Sequence, residues 1–207
     1  MKYNLMARFM PLIMDKIIFE FLKDDGITVD NYFKKNCKIA YKKIVNHTPT
    51  LAKNNSLLPT LYIGCYLISF YKAFPDVITE SRFEGMIDAL CNSKMLRDGH
   101  KNQSAFDEKN LQTRITAAEQ SQTSNYEMDW KSTFALAPDK KSFDLTYTKC
   151  GLCELGKREG CFHLIKYMCK TDFITFEYMG ANLERPHTLA NGDNLCDFHV
   201  TKKEDVK

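Results

Sequence analysis

Apolar side chains recur every three or four residues through the first half of the chain, which is the spacing of an amphipathic helix. The first stripe predicts an opening helix with Pro11 in its first turn and a stop at Asp24-Asp25-Gly26. The second predicts a helix that ends before Pro49. The two stripes consist of Met6, Met10, Ile13, Ile17 and Phe21, and of Phe33, Cys37, Ala40, Tyr41 and Ile44.

Further helices are predicted up to about position 125. Residues 61–71 are apolar nearly all round, as expected of a helix that other helices enclose. A fourth stripe begins near Ser81 and Glu84, whose spacing fits a capping box. Residues 98–125 are polar and allow one weaker helix. The fourth stripe consists of Phe83, Met86, Ile87, Leu90 and Cys91.

The spacing of apolar residues changes to every second position after residue 125, which predicts half-buried strands. Turns are expected at residues 138–141 and at the pair Asn191-Gly192, which readily takes positive φ in hairpins. The expected strands cover residues 126–136, 143–150, 183–190 and 195–201.

A helical region separates the two pairs of predicted strands. It runs from 151 to 179, with Thr171 as the expected cap of a helix that begins at Asp172. Together these elements predict an α+β fold in a single domain, residues 1–207. A mainly helical part, residues 1–125, packs with a sheet-containing part, residues 126–202, whose antiparallel sheet has about four strands and interposed helices. A chain of 24.0 kDa suits one hydrophobic core.

Charge identifies no macromolecular partner, because 29 Lys and Arg against 26 Asp and Glu leave a net charge of only +3. The lysine-rich face of the second predicted helix leaves two alternatives, a nucleic-acid surface or a solvated face. We favour the solvated face, since aromatic residues are absent between the lysines. We therefore predict a small-molecule partner, no nucleic acid and no membrane, and leave the oligomeric state open.

The longest apolar stretch, residues 57–74, is interrupted by proline, hydroxyl and lysine side chains. It lacks the roughly 20 clean residues that a membrane span needs. The apolar run at residues 9–14 is broken by Asp15 and has no small-residue cleavage site. We expect a soluble, cytoplasmic protein with reduced thiols.

Cysteines crowd one segment of the second half. A CxxC motif beside other thiols suggests zinc or an iron–sulfur cluster, but a second CxxC with suitable spacing is lacking. We therefore expect no metal and no cofactor. Cys37, Cys65 and Cys91 lie in helical stripes, where small buried thiols are common. The crowded cysteines are Cys150, Cys153, Cys161 and Cys169, with Cys196 near the end of the chain.

Cys169 is a candidate reactive thiol, because the amides of a helix that starts just after it would stabilise a thiolate. The nearby carboxylate of Asp172 opposes that effect. Cys196 shares one face of a predicted strand with Phe198, so a core thiol and a functional thiol are equally open. The sequence contains no Ser-His-Asp pattern, phosphate-binding glycine loop or HExxH motif.

The end of the chain resembles the closing signature of the L-2-amino-thiazoline-4-carboxylic acid hydrolase family. The resemblance is strong over residues 115–202 and looser over the helical part. Pro186 and His187 depart from the family's usual run, whereas Arg185 and Thr188 are in place. The matching segments are Arg185-Pro-His-Thr-Leu-Ala-Asn-Gly-Asp-Asn-Leu-Cys-Asp-Phe198, Tyr147-Thr-Lys-Cys-Gly-Leu-Cys153, Tyr167-Met-Cys-Lys-Thr-Asp172, and Ala118-Glu-Gln-Ser-Gln with Asp129-Trp130.

The resemblance implies a hydrolase that opens a 2-aminothiazoline or related cyclic amidine ring, with C2–S cleavage to N-carbamoyl-L-cysteine. It implies that Arg185 and Thr188 bind the substrate. The implied catalytic set is Cys169, Cys196, Asp172, Asp193 and Asp197.

Two chemical routes remain open: attack by Cys169 or Cys196, or attack by water that an aspartate activates. We favour the cysteine route with Cys169 as the nucleophile. A noncatalytic protein that binds or senses a small ligand on the same fold is the alternative function.

Overall fold

The computed structural model describes residues 1–52 and 55–204. The first part of the chain is helical, and the helices begin and end close to the predicted positions. Asp30 caps α2 by accepting a hydrogen bond from the Phe33 amide at 2.8 Å. The helices are α1 (Leu5–Asp24), α2 (Asn31–His47), α3 (Leu58–Ala73), α4 (Glu80–Cys91), α5 (Lys94–His100) and α6 (Glu108–Thr123).

The second part is built on a four-stranded antiparallel sheet in the order β1-β2-β4-β3. Short helices connect β2 to β3, and 3-10 turns lie at Phe162–Leu164 and Leu189–Asn191. The α+β fold is confirmed, with helices first and the sheet last. The elements are β1 (Lys131–Leu136), β2 (Ser142–Lys149), α7 (Gly151–Glu159), α8 (Ile165–Met168), α9 (Lys170–Tyr178), β3 (Ala181–Glu184) and β4 (Cys196–Lys202).

The buried apolar residues form two clusters. The larger cluster joins α1–α4 to α7 and α8, and the smaller one lies between the sheet, α6 and α9. Tyr147 on β2 and Leu189 pack against both. The structure therefore brings helices and sheet together along a shared seam, and that seam contains the residues of chemical interest.

Helix α3 is enclosed, as the sequence predicted. Its residues 61–70 are buried apart from Ile63, which is half-buried. It has 16 residues, and none of the helices in the described part of the chain is long and apolar enough to cross a membrane.

The predicted apolar face of α1 is confirmed in part. Met10 is buried, and Ile13, Ile17 and Phe21 are partly buried and pack against the larger cluster, whereas Met6 is exposed. Pro11 lies inside the helix rather than in its first turn, because α1 already begins at Leu5. The centre of the packed face is offset from the predicted stripe because α1 is apolar on more than one side, so spacing alone does not locate it. The buried face consists of Ala7, Met10, Met14, Ile18 and Leu22.

Two predicted helix caps were also wrong. Helix α4 begins one residue after Thr79, whose hydroxyl accepts the Arg82 amide, so Ser81 lies inside the helix. Helix α9 begins at Lys170, and the hydroxyl of Thr171 donates to the Met168 carbonyl oxygen instead of capping. In both cases the helix begins before the predicted cap, at Glu80 in α4 and at Lys170 in α9.

Strand boundaries differ from the predictions at two places. Strand β1 begins at Lys131, because the chain from Tyr126 to Trp130 forms a turn before it enters the sheet. Strand β3 ends at Glu184. The residues between β3 and β4 therefore form a loop of eleven residues rather than a tight hairpin, and Arg185 and Thr188 lie in that loop. Helix α5 was not predicted.

Candidate functional site

Three cysteines from different elements meet near the seam. Cys150 follows β2 and is the N-cap residue of α7, Cys169 joins α8 to α9, and Cys196 opens β4. Tyr147 on β2 lies directly opposite Cys196 in the sheet register. A negative charge on Cys150 or Cys196 would raise the pKa of Cys169, in keeping with the three thiols lying in the same region.

Arg185 holds the N-terminal end of α9 to the sheet. Its guanidinium donates from Nη1 to Asp172 Oδ2 at 2.5 Å and from Nη2 to the Cys169 carbonyl oxygen at 3.0 Å. The same group lies over the rings of Phe173 and Phe198, at 4.8 and 4.9 Å from their centroids. The Arg185 side chain is only 5% exposed, so its orientation is fixed by these contacts.

Cys196 is held by the loop that precedes β4. The Leu189 amide donates to its Sγ at 3.3 Å, and the Thr188 hydroxyl lies 3.4 Å from the same atom. Asp193 shapes this loop, because its carboxylate accepts the Thr188 amide at 2.7 Å. Gly192 takes a φ of +94°, which a glycine adopts without strain. Thr188 and Asp193 thus support the position of Cys196.

Asp197 lies on the other face of β4 from Cys196, because successive strand residues point to opposite sides. Its carboxylate accepts the His187 amide at 2.8 Å and lies 2.7 Å from the His187 ring nitrogen. The structure therefore brings Cys169, Asp172 and Arg185 into direct contact and separates Asp197 from them. The predicted catalytic roles of Asp193 and Asp197 stay predictions.

The thiol of Cys169 does not lie in the environment that the sequence suggested. Burial, followed by the charge of Asp172, raises its pKa to about 12. A helix does start just after Cys169, which is the N-cap residue of α9, but Cys169 has helical angles and is also the C-cap residue of α8. Burial also raises the pKa of Cys196. Both thiols are therefore protonated at neutral pH and need a base to react.

Asp172 is the carboxylate that pairs with Arg185. Burial raises the pKa of Asp172 above the usual value, while Arg185 opposes the shift. The Asp172 side chain is 39% exposed, whereas that of Arg185 is nearly enclosed, so solvent reaches the pair from the Asp172 side. The thiols Cys150 and Cys169 are half-buried.

Sequence reasoning missed Cys150 as a candidate. Interaction with the Cys153 side chain lowers the pKa of Cys150, burial opposes this, and the amides of Cys153 and Leu152 add to the lowering. The same contact and burial raise the pKa of Cys153. The sequence signal for this thiol is the CxxC motif directly after a predicted strand, a motif that also suggests metal ligands.

Metal binding receives no support from the geometry of the described residues, where no group of three or more His, Cys, Asp or Glu side chains could hold a metal ion. All eight cysteines are free thiols. Gly151, inside the CxxC motif, packs so closely on Trp130 and the Met128 carbonyl oxygen that a Cβ there would overlap both. The motif is therefore anchored to the end of the turn before β1.

Comparison with solved structures found two H-NOX proteins with low similarity. One is a crystal structure of an H-NOX protein from S. oneidensis in the Fe(II)NO ligation state, with 10% identity. The other is an NMR structure of an H-NOX domain from Shewanella oneidensis in the Fe(II)CO ligation state, with 13% identity. Each match covers 91% of this chain and 98% of the other, with a TM-score of 0.33, which carries no argument about fold or function.

No curated protein matches the chain. The family model described as L-2-amino-thiazoline-4-carboxylic acid hydrolase, in contrast, matches residues 61–200. This range is more than half of the chain, runs from α3 into β4, and includes every residue of the site described above. The chain belongs to the L-2-amino-thiazoline-4-carboxylic acid hydrolase family.

Proposed function

We propose that this protein is a hydrolase that opens a 2-aminothiazoline or a related cyclic amidine. Family membership supports a hydrolase. The observation that carries the proposal is the buried link from Arg185 to both the Asp172 carboxylate and the Cys169 carbonyl oxygen. This link holds a cation beside a carboxylate and beside the backbone of a cysteine within the matched segment.

The proposed reaction adds one water molecule at C2 of the ring and breaks the C2–S bond. Protonation of the amidine makes C2 electrophilic. The ring sulfur leaves as a thiolate, takes up a proton, and becomes the thiol of N-carbamoyl-L-cysteine. Because a thiolate is a good leaving group, the protein needs to supply mainly substrate orientation, a base and a nucleophile.

In this proposal, Arg185 binds the substrate carboxylate, with Thr188 beside it. A guanidinium is suited to paired contacts with a carboxylate, and Arg185 already donates one hydrogen bond to the Asp172 carboxylate. A substrate carboxylate that takes the place of Asp172 on Arg185 would release Asp172 towards the ring. Asp172 could then accept a proton, which its raised pKa favours.

The covalent route begins when Asp172 takes the proton of Cys169. The Cys169 sulfur attacks C2, the ring sulfur leaves, and an S-linked amidine forms on the enzyme. Water then adds to the same carbon, and Cys169 leaves as the urea product forms. In the competing route, Asp172 activates water for direct attack on C2, and Cys169 and Cys196 only pack.

Turnover by the purified protein tests the proposal. L-2-Amino-thiazoline-4-carboxylic acid is supplied, and N-carbamoyl-L-cysteine is measured by mass spectrometry. We expect product with the parent protein and a loss of about 100-fold or more in rate for Asp172→Asn, since general acid–base groups contribute about 10²–10⁴-fold. The matched control is Cys161→Ser, which changes a buried thiol of the same half that lies outside the site.

Cys169→Ser separates the two routes. A hydroxyl keeps nearly the same volume but is a much weaker nucleophile at neutral pH, so the covalent route predicts a large loss of rate. If Cys169→Ser folds normally and keeps most of the parent rate, the covalent route through this residue is wrong. Binding of the substrate without product would instead favour the noncatalytic alternative and contradict the proposed hydrolase.

A further inference from the structure

The first half of α1 exposes large apolar side chains that lie away from its buried face. Leu5, Phe9 and Leu12 are 82%, 53% and 77% exposed. They are spaced by four and three residues, so they form one surface stripe on the helix. Isolated apolar residues on a surface are ordinary, but a continuous stripe of this kind is typical of a contact surface.

Cations accompany this stripe. Arg8 lies three residues after Leu5 and four before Leu12, so it is a neighbour of both on the helix surface. Arg8 also lines a cavity of about 590 Å³ between α1 and α2. Across that cavity, α2 contributes Lys38 and Lys42. The complete lining is Tyr3, Arg8, Pro11, Lys38, Lys42 and Asn46, which contains three cations and no carboxylate.

The nearest acidic group on α1 is already engaged. Asp15 accepts a hydrogen bond from the Tyr66 hydroxyl of α3 and faces Lys34 and Lys38. Burial raises the pKa of Asp15, while the Tyr66 hydrogen bond and the two lysines oppose the shift. The surface formed by α1 and α2 therefore combines an apolar stripe with a positively charged cavity at its side.

We propose that this surface, formed by the stripe of α1 and the cationic cavity beside it, binds peripherally to a membrane that contains anionic lipid. The apolar stripe would enter the interfacial region while Arg8, Lys38 and Lys42 contact anionic headgroups. The helix would lie on the bilayer and not cross it. This proposal differs from our sequence prediction of no membrane partner, which rests on the small net charge of the whole chain and does not consider a local surface.

Two other occupants fit the same surface less well. A second copy would bring the cations of both chains towards each other, and like charges at close range repel. A nucleic acid would satisfy the cations but leave Leu5 and Leu12 without an apolar partner. An anionic bilayer supplies apolar and negative groups together, which is why we favour it.

Co-sedimentation with vesicles tests this proposal with the full chain. One set is pure phosphatidylcholine, and the other contains about 30 mol % phosphatidylserine. We expect binding to the anionic vesicles that salt weakens, and little binding to the neutral ones. The variant Lys38→Gln/Lys42→Gln should bind about 20-fold more weakly, since each cation near such a surface contributes about fivefold. The variant Leu5→Ser/Phe9→Ser/Leu12→Ser should lose at least about 20-fold.

Matched controls change similar residues elsewhere. Tyr126→Ser removes an exposed apolar side chain, and Lys140→Gln/Lys141→Gln removes two cations from the β1–β2 turn. Both should bind vesicles like the parent. Absence of parent binding to anionic vesicles, or equal loss in the controls, overturns the proposal. Self-association or RNA binding that the stripe and lysine variants abolish, without vesicle binding, overturns it in favour of that partner. Turnover of soluble substrate is not involved, so this outcome is independent of the proposed hydrolase.

Discussion

The two hydrophobic clusters differ in the cations that lie over their aromatic rings. The larger cluster, centred on α3, consists of aliphatic, aromatic and thiol side chains, and lysine ammonium groups lie over Phe19, Phe162 and Tyr167 at its margin. The smaller cluster is rich in phenylalanine, and guanidinium groups lie over its rings. Arg114 lies 5.4 Å from the ring centroids of both Phe143 and Phe176, and Arg185 lies 4.9 Å from that of Phe198.

The difference indicates which cluster can hold charged groups in fixed positions. Burial lowers the pKa of Arg114, because a cation beside the sheet is less well solvated than one in water. Arg185 is nearly as enclosed but has the Asp172 carboxylate and the Cys169 carbonyl oxygen as partners. The helical cluster therefore resembles a scaffold, whereas the sheet cluster holds oriented charges at the edge of a site.

The largest effect is expected at Gly151, which follows β2 of the sheet and packs on Met128 and Trp130 of the larger cluster. Gly151→Ala would place a methyl group against Trp130 and the Met128 carbonyl oxygen. We expect a loss of about 3 kcal/mol in the free energy of unfolding, measured by chemical denaturation. Gly99→Ala in α5 is the control, since its Cβ would meet no atom within 4 Å. Equal stability of the two variants would contradict the close packing at Gly151.

Arg185→Lys tests whether the oriented charge in the sheet cluster matters for the substrate. Lysine cannot make the paired contacts of a guanidinium, and it also loses the stacking on Phe198. We expect substrate affinity to fall about 30-fold, which corresponds to about 2 kcal/mol, as for loss of a hydrogen bond to a charged group. Calorimetric titration measures this, with circular dichroism to check the fold. Unchanged affinity would remove Arg185 from the binding site.

A smaller effect should distinguish the thiols along the seam. The pKa of Cys150 is lowered, chiefly by interaction with Cys153, whereas burial raises that of Cys169 to about 12. Because the thiolate reacts, we expect iodoacetamide at pH 7 to modify Cys150 at least about tenfold faster than Cys169. Peptide mass spectrometry over time measures both rates. The order should persist as pH rises to about 9, with the absolute rates increasing because more thiolate forms.

Cys153→Ala provides the control for that experiment. It removes the group that contributes most to the lowered pKa of Cys150, so Cys150 should react more slowly at neutral pH. Faster modification of Cys169 than of Cys150 in the parent protein would contradict the assignment of Cys150 as the more acidic thiol.

The fold class could be predicted from the sequence because periodicity changes sharply after residue 125. Period-two spacing located β2 and β4 well, and enclosure of α3 followed from its apolar character. The centre of the packed face of α1 could not be located, since several of its faces are apolar. The starts of α4 and α9 were also missed, because a cap depends on which of several nearby hydroxyl groups meets a free amide.

Part of the candidate site could be predicted from the sequence. The family resemblance selected Cys169, Asp172 and Arg185, and these three residues do meet. Their protonation could not be predicted, because the pKa of Cys169 depends on burial that only the fold determines. Asp197 and Cys196 lie on opposite faces of β4 because successive strand residues alternate. This alternation can be predicted from the sequence, whereas the family resemblance implied a catalytic role for both residues.

Tyr147 and Leu189 contact both hydrophobic clusters, and Tyr147 pairs with Cys196 at the edge of the site. If a ligand binds this site as we propose, it would contact side chains that both clusters share. Its binding would then stabilise the helical and the sheet-containing parts together. At a concentration 100 times its dissociation constant, such a ligand adds about 2.7 kcal/mol to stability, distributed over helices and sheet alike.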